Sequence, residues 1–317
     1  MSQVVQPGSR SEQMATERTA RGSEPGAERS SRLGLLWMLL GTGCFVGMAA
    51  FVKVLREDGL TTSEVMFWRT APGLVWILVE LRIRGQTLRP NAPGPVVLRS
   101  LAGLGAMAGY FYALRALTLI ENTVLSLLQP VLVAVLSPTL LGERLHPRAV
   151  VALMVAVVGA LVVLRPDQAW RANLPLLPIA AGAISALFSA LAHIMVRKAT
   201  AKDSPERVVF WFTLTVSAGA LAIGLARGEF LQLPDVGWLN VTGKIAGMAG
   251  FGLAGQLLMT RAYGRMAAPM VAVVAYAAIP ISMMLDLVWG VRPGLDDAVG
   301  SLLMVFAGVV LVRGRRV

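Results

Sequence analysis

The chain has 317 residues, 56% of them hydrophobic and only 15% charged, with a mean hydropathy of +0.66. Soluble domains carry about 25% charged residues, so this chain is short of charge for water. Its apolar residues also fall in runs of about 20, the length that spans a bilayer as a helix. One cysteine, Cys44, excludes an internal disulfide framework and a cysteine-rich metal site, and two histidines, His146 and His193, leave little for metal binding or histidine catalysis. The net charge of +11 comes from arginines gathered in alternate loops, as membrane topology requires. No basic block interleaved with aromatics recommends a nucleic-acid partner.

Residues 1–32 are rich in Ser, Gly, Glu and Arg without apolar period, and are expected to form a disordered cytoplasmic tail. No apolar segment follows a short basic start, so they do not read as a signal peptide. Ten spans are then predicted, at about 33–54, 62–83, 96–115, 121–141, 148–164, 174–197, 206–226, 243–262, 267–289 and 297–313. Most connections are short, which makes neighbouring helices antiparallel. The longest, 227–242, carries Pro234 and Trp238 and is expected to lie in the headgroup interface. With the N-terminus inside, 19 of the 29 Lys and Arg fall on inner segments and 7 on outer loops. That bias predicts a multi-pass protein of the cell (inner) membrane with both termini in the cytoplasm.

The chain repeats itself. Phe67-Trp68-Arg69-Thr70 in the second span recurs as Phe210-Trp211-Phe212-Thr213 in the seventh, differing only where arginine meets phenylalanine. Gly109-Tyr110 through Arg115-Ala116 aligns without gaps on Gly255-Gln256 through Arg261-Ala262, Gly159 matches Gly308, and Lys53 falls opposite Arg197. Each unit therefore holds five helices, residues 33–165 and 174–313. Five is odd, so the second unit enters the membrane from the other side, the inverted-repeat architecture of many secondary transporters.

At these residues the chain resembles the EamA-type transporters of the drug/metabolite transporter superfamily. The likeness is firmest at Gln129-Pro130, Leu141-Gly142-Glu143-Arg144-Leu145 and the Gly159 helix, then at Gly255-Gln256 to Thr260-Arg261-Ala262-Tyr263, Tyr276 and Trp289-Gly290. The resemblance implies an all-α membrane fold of ten helices in two EamA repeats around a central substrate cavity lined by spans three, four, eight and nine. The Gly-Glu signature of the family ends the fourth helix of the first repeat as Gly142-Glu143, whereas the second repeat reads Gly290-Val291.

Arg69 lies about 10 Å into its span at ~1.5 Å per residue. A charge within a span costs roughly 2.5–3.5 kcal/mol on insertion scales, so it invites a functional reading. It could grip a substrate carboxylate or phosphate through its fork of N–H groups, pair with Glu64 or Asp286, or snorkel. Lys53 is near the outer end of the first span, with Glu57 one turn away for an i,i+4 pair; if it converges with Arg69, the outer half of the cavity is positive. Asp286, in the outer third of the ninth span, could neutralise Arg69 in the empty carrier, couple transport to a proton, or simply be solvated at the interface.

Gln129 offers a donor and an acceptor beside Pro130, which leaves the Ser126 carbonyl without its helical partner; Pro138 and Pro280 do the same to Ala134 and Tyr276. Tyr110 and Gln256 share one repeat position, and Tyr276 aligns with Pro130. Each could face substrate or hydrogen-bond across helices. The pairs Gly43 with Gly47 and Gly105 with Gly109 allow close helix approach. His193 reads as a hydrogen-bonded packing residue. Asn240-Val241-Thr242 fits the glycosylation triplet but abuts a predicted span.

The reading is a secondary transporter that moves a small polar metabolite, anionic or zwitterionic and amino-acid-like, by alternating access. The chain has no phosphate-binding loop of the Gly-x-x-x-x-Gly-Lys-Ser/Thr type, so ATP is not its direct energy source. No cofactor is expected. The expected partners are the substrate and the lipid bilayer, with a homodimer compatible. The alternatives are an intramembrane lipid-modifying enzyme, for which clustered His, Asp or Cys are missing, and a non-transporting scaffold.

Overall fold

The computed structural model describes residues 25–113, 116–117, 125–143, 147–164, 176–231, 238–288 and 294–313. They form α1 (Pro25–Glu57), α2 (Thr62–Ile83), α3 (Pro93–Ala113), α4 (Leu128–Leu141), α5 (Pro147–Leu164), α6 (Leu176–Ala199), α7 (Pro205–Ala226), α8 (Trp238–Arg265), a ninth helix in two pieces, α9a (Ala268–Ala275) and α9b (Ala278–Val288), and α10 (Leu295–Arg313). Local chemistry fixes several ends. Thr61 caps α2 and Glu64 reaches back to the Thr61 N–H, a complete capping box. Ser204 caps α7 with Pro205 in its first turn. Gly142, at φ +68°, supplies the left-handed residue that ends α4.

Three differences from the predicted spans are local. Helix α1 starts at Pro25, ahead of the expected start at 33, because proline suits a first helical turn. Helix α8 begins at Trp238, ahead of the predicted start at 243, and a short 3-10 turn stands at Glu229–Leu231. The fourth span is broken ahead of Pro130: α4 begins at Leu128, which places Pro130 in its first turn, where a missing N–H does no harm. Pro280 stands likewise in the first turn of α9b. Tyr276, at the break between α9a and α9b, donates from Oη to the Leu127 carbonyl at 2.9 Å. The two breaks, one in each repeat, are thus tied together.

Length and composition alone suffice for crossing a membrane in Arg32–Glu57 of α1, in α6 and in α7. The other helices are shorter, as in α4, or diluted by charge, as with Glu64, Arg69, Glu80 and Arg82 in α2. Glu64, Arg69 and Glu80 are partly covered by their neighbours, and Arg82 is exposed in the last turn of α2.

Packing follows the repeat. Helix α1 lies on α8 as α6 lies on α3; α2 touches α8 as α7 touches α3; α4 touches α6 as α9a and α9b touch α1. Helices α2 and α7, α4 and α9a, and α5 and α10 pair with their own equivalents. That is the contact pattern of a pseudo-twofold axis relating two inverted five-helix units. Thr70 and Ser217 join α2 to α7 at 2.8 Å.

Close approach is carried by glycine. A Cβ on Gly109 would stand 2.9 Å from the Ala181 carbonyl oxygen of α6. Backbone cannot step aside, so Gly109→Ala should destabilise the protein by about 1–3 kcal/mol. Gly43, expected to pack, has nothing within 4 Å of where its Cβ would lie. Gly43→Ala should leave the melting temperature unchanged, and a thermal melt of both variants in detergent checks the contrast.

The end of the bundle that holds the start of α1 is closed by polar contacts. Arg207 Nη1 bonds Asp203 Oδ1 at 2.8 Å, and both Asp203 oxygens accept backbone N–H groups, from Asn91 and Ala92 at 2.8 Å each. Arg261 reaches Glu206 at 2.6 Å. Burial alone would raise the Asp203 carboxyl, but the bonds from Arg207, Asn91 and Ala92 outweigh it and hold the group below its ordinary range. A depressed carboxylate stabilises the fold above its unfolded value, and that contribution is lost as pH falls through the folded value. The melting temperature should therefore drop on the acid side of the ordinary carboxylate range, and Asp203→Asn should flatten that limb. The opposite end has its own ties, Lys244 to Asp58 at 2.6 Å and Thr61 to Glu229 at 3.1 Å.

Candidate functional site

A cavity of about 880 Å³ enters the bundle at the end that carries the α1–α2 connection. Its mouth lies among the exposed Lys53, Arg56 and Glu57 of α1. Its depth is reached at Arg69 of α2, Tyr110 of α3 and Gln129 of α4, with Ser185 and Ser189 of α6 on the far wall. Methionine, valine and alanine fill the space between, including Met48, Val52, Met66 and Met107. An apolar wall with a few polar tips suits a small organic solute, because each tip acts more strongly where water is scarce.

Arg69 is half-buried. Its Nη1 lies 3.9 Å from the Met107 sulfur, a weak acceptor. The expected pair with Glu64 is not made, because Glu64 is spent on the capping box and points at Thr61. Among the described residues no carboxylate stands within ion-pair distance of Arg69. Asp286 belongs to α9b, but its side chain lies outside the described residues. Pro72 stands inside α2 just beyond Arg69 and removes one backbone N–H from an otherwise continuous helix, a feature that the sequence expectations do not include.

Gln129 is held by His193, whose Nδ1 lies 2.7 Å from the amide nitrogen. The His193 ring stacks on Tyr263 at 5.4 Å between centroids, so the amide is fixed from α6 through α8. Lys53, Arg69, Tyr110 and Gln129 thus share one cavity. Gln256 does not reach it. It is 5% exposed and lines a separate chamber of about 10 Å³, room for a single water, together with Arg69, Phe212 and Gly252. Tyr276, 3% exposed, stands away from the cavity and serves as the crossbar to Leu127. Among the described residues the cavity wall comes from α1 to α4 and α6, so of the four spans that the resemblance implies for its lining, the third and fourth contribute described residues.

Two residues with site-like chemistry, Ser185 and Ser189, are not among those the sequence singles out, and a third, Glu143, is named there without a role. Ser185 and Ser189 carry the signal of hydroxyls at i,i+4 on one helix face. Glu143 belongs to a family signature without an evident partner, and the structure supplies one. Its Oε1 accepts from Arg197 Nε at 2.7 Å and its Oε2 from the Ala268 N–H at the start of α9a, at 2.8 Å. Arg197 Nη1 also reaches the Tyr263 and Gly264 carbonyls at 3.1 and 3.3 Å. One glutamate therefore clasps α4, α6, α8 and α9a at the end away from the cavity mouth. Among the described residues no group of His, Cys, Asp and Glu is placed to hold a metal ion.

Two five-helix units packed about a pseudo-twofold axis, with a polar-tipped cavity open at one end, define a membrane transporter. The chain belongs to the EamA-like transporter family, whose model matches residues 32–165 and 176–314, one match for each repeat. It is 30% identical to the pseudopaline exporter CntI of Pseudomonas aeruginosa, over 89% of this chain and 97% of that protein. It is 27% identical to a riboflavin transporter of Vibrio cholerae, over 82% of this chain and 87% of that protein. One solved crystal structure superposes with a TM-score of 0.71 at 22% identity, covering 89% of this chain and 97% of that one, which speaks to the fold. These relatives are transporters, and the chain is a multi-pass membrane protein of that kind rather than an enzyme.

Proposed function

We propose that the protein is a secondary carrier for a small anionic or zwitterionic organic solute, moved by alternating access. One observation carries the substrate class: Arg69 offers its fork to an 880 Å³ cavity, and no carboxylate among the described residues competes for it. Lys53 and Arg56 at the mouth add positive charge along the entry path, Glu57 notwithstanding. Gln129 and Tyr110 provide neutral hydrogen-bonding groups for the rest of the solute. The cavity is open at one end, and the Glu143–Arg197 clasp shuts the other, as expected of one of two alternating states. The excess of Lys and Arg on the clasped end supports placing that end, with both termini, in the cytoplasm. Solute or ion gradients drive the movement, since the sequence has no phosphate-binding loop.

Reconstitution in sealed liposomes tests this. Labelled glutamate, pseudopaline and riboflavin are offered from outside against unlabelled solute inside. Saturable exchange of at least one anionic or zwitterionic probe is expected. Uptake no faster than in protein-free liposomes for every probe, with folded protein present, would sink the reading.

A further inference from the structure

Arg69 is not the only cation within the bundle. Arg99 lies on α3, about 9 Å from the start of that helix at ~1.5 Å per residue. Helices α2 and α3 are antiparallel neighbours, so Arg69 and Arg99 belong to opposite halves of the bundle's depth. Arg99 is 3% exposed, and its guanidinium lies 4.0 Å over the Phe212 ring. Gly103 makes the room: a Cβ there would fall 2.5 Å from Arg99 Nη1. Among the described residues no acceptor reaches the Arg99 side chain, and its Nε is buried without a hydrogen-bond partner.

A guanidinium taken out of water with no acceptor is costly, and a ring face offsets only part of that cost. Phe212 stands between Arg69 and Arg99. One side of the ring carries Arg99, and the residue also lines the small chamber shared by Arg69 and Gln256. Phe212 occupies the position that corresponds to Arg69 in the other repeat, so the fork missing from α7 is replaced across the ring by one from α3.

We propose that Arg99 is a second carboxylate-binding site, partitioned from the cavity by Phe212, that takes the anionic group of the cargo from Arg69 as the cavity closes at its present mouth. This rests on the carrier reading above. Arg99 Nε and one terminal nitrogen form the parallel pair of donors that a carboxylate accepts in bidentate fashion. Turning of the Phe212 ring is the step that admits the group. Two cations in sequence, neither neutralised by a carboxylate among the described residues, let the cargo be held at both depths without being trapped at either.

Arginine-directed labelling of the full-length protein in membrane vesicles tests the site without knowledge of the cargo. Phenylglyoxal adducts are mapped by peptide mass spectrometry, with acetate, succinate or inorganic phosphate at matched ionic strength. The Arg99 adduct should form more slowly than that of Arg69, and acetate or succinate should slow it several-fold further, beyond any effect of phosphate. An Arg99 that stays unlabelled while Arg69 reacts, or labels equally fast in every anion, overturns the proposal. Protection by phosphate alone overturns its carboxylate class. In liposomes with whichever labelled probe the wild type exchanges, Arg99→Met should keep the melting temperature and the protection of Arg69 yet lose most of the flux, and Arg99→Lys should regain part of it. Wild-type flux with a silent Arg99 removes this inference alone. Absent wild-type flux of every probe removes the carrier reading, and the labelling result then stands by itself.

Discussion

Arg69→Gln is expected to raise the half-saturation concentration for an anionic probe by about tenfold to a hundredfold. The figure follows from a charge-assisted fork worth about 1.5–3 kcal/mol, at 1.36 kcal/mol per factor of ten. Arg69→Lys keeps the charge but loses the planar pair of donors, and should fall between wild type and Arg69→Gln. The melting temperature should not drop in either variant, because Arg69 gives the fold little more than a 3.9 Å approach to the Met107 sulfur. Exchange kinetics in liposomes beside a thermal melt separates the two effects. Unchanged half-saturation in Arg69→Gln would show that the arginine snorkels and that the cargo is held elsewhere.

Glu143→Ala is the second large effect. It removes the ion pair to Arg197 at 2.7 Å and the 2.8 Å cap on the Ala268 N–H together. Hydrogen bonds to a charged group are worth about 1.5–3 kcal/mol each, and Arg197 is partly solvated, so the lower end of that range applies. Glu143→Gln keeps an acceptor for Ala268 and should lose about half as much. The clasp also shuts one end of the bundle, so its loss should expose that end. In a Cys44→Ser background, a Thr200→Cys reporter beside Gly264 should react with a maleimide about tenfold faster in Glu143→Ala, which corresponds to ~1.4 kcal/mol. Equal reactivity in both proteins would reduce Glu143 to an ordinary surface contact.

Much of the architecture is written in local signals. The predicted span 62–83 coincides with α2 because Thr61 and Glu64 spell out a capping box and a short connection follows Ile83. The prolines at 130 and 280 announce both broken helices, and the Arg-to-Phe exchange between Arg69 and Phe212 points at the cavity. What stays hidden depends on long-range geometry. Proximity in sequence suggests Glu64 as a partner for Arg69, although the same capping box already engages it. Arg99 looks like one more charge near a span end. Only its place over Phe212 reveals a buried cation without an acceptor among the described residues. Tyr276 and Gln256 look like cavity residues from their repeat positions, yet one is a crossbar and the other faces a chamber the size of a water, because the main cavity is displaced towards the first repeat. Glu143 needs Arg197 from 54 positions away.

The glutamate of the clasp has no counterpart in the sequence of the second repeat, where Val291 follows Gly290 in the place of Glu143. In the carrier proposed above, closing the mouth at Glu143 gains two charged bonds for which position 291 supplies no carboxylate, and this favours the clasped form of the unloaded molecule. The two faces of the membrane then see different apparent affinities for the same solute. Microscopic reversibility still binds them: for an uncoupled carrier, the maximal rate divided by the half-saturation concentration must be equal from both sides. In such a carrier the missing carboxylate at position 291 would set which compartment's concentration the protein senses, without any influence on where equilibrium lies.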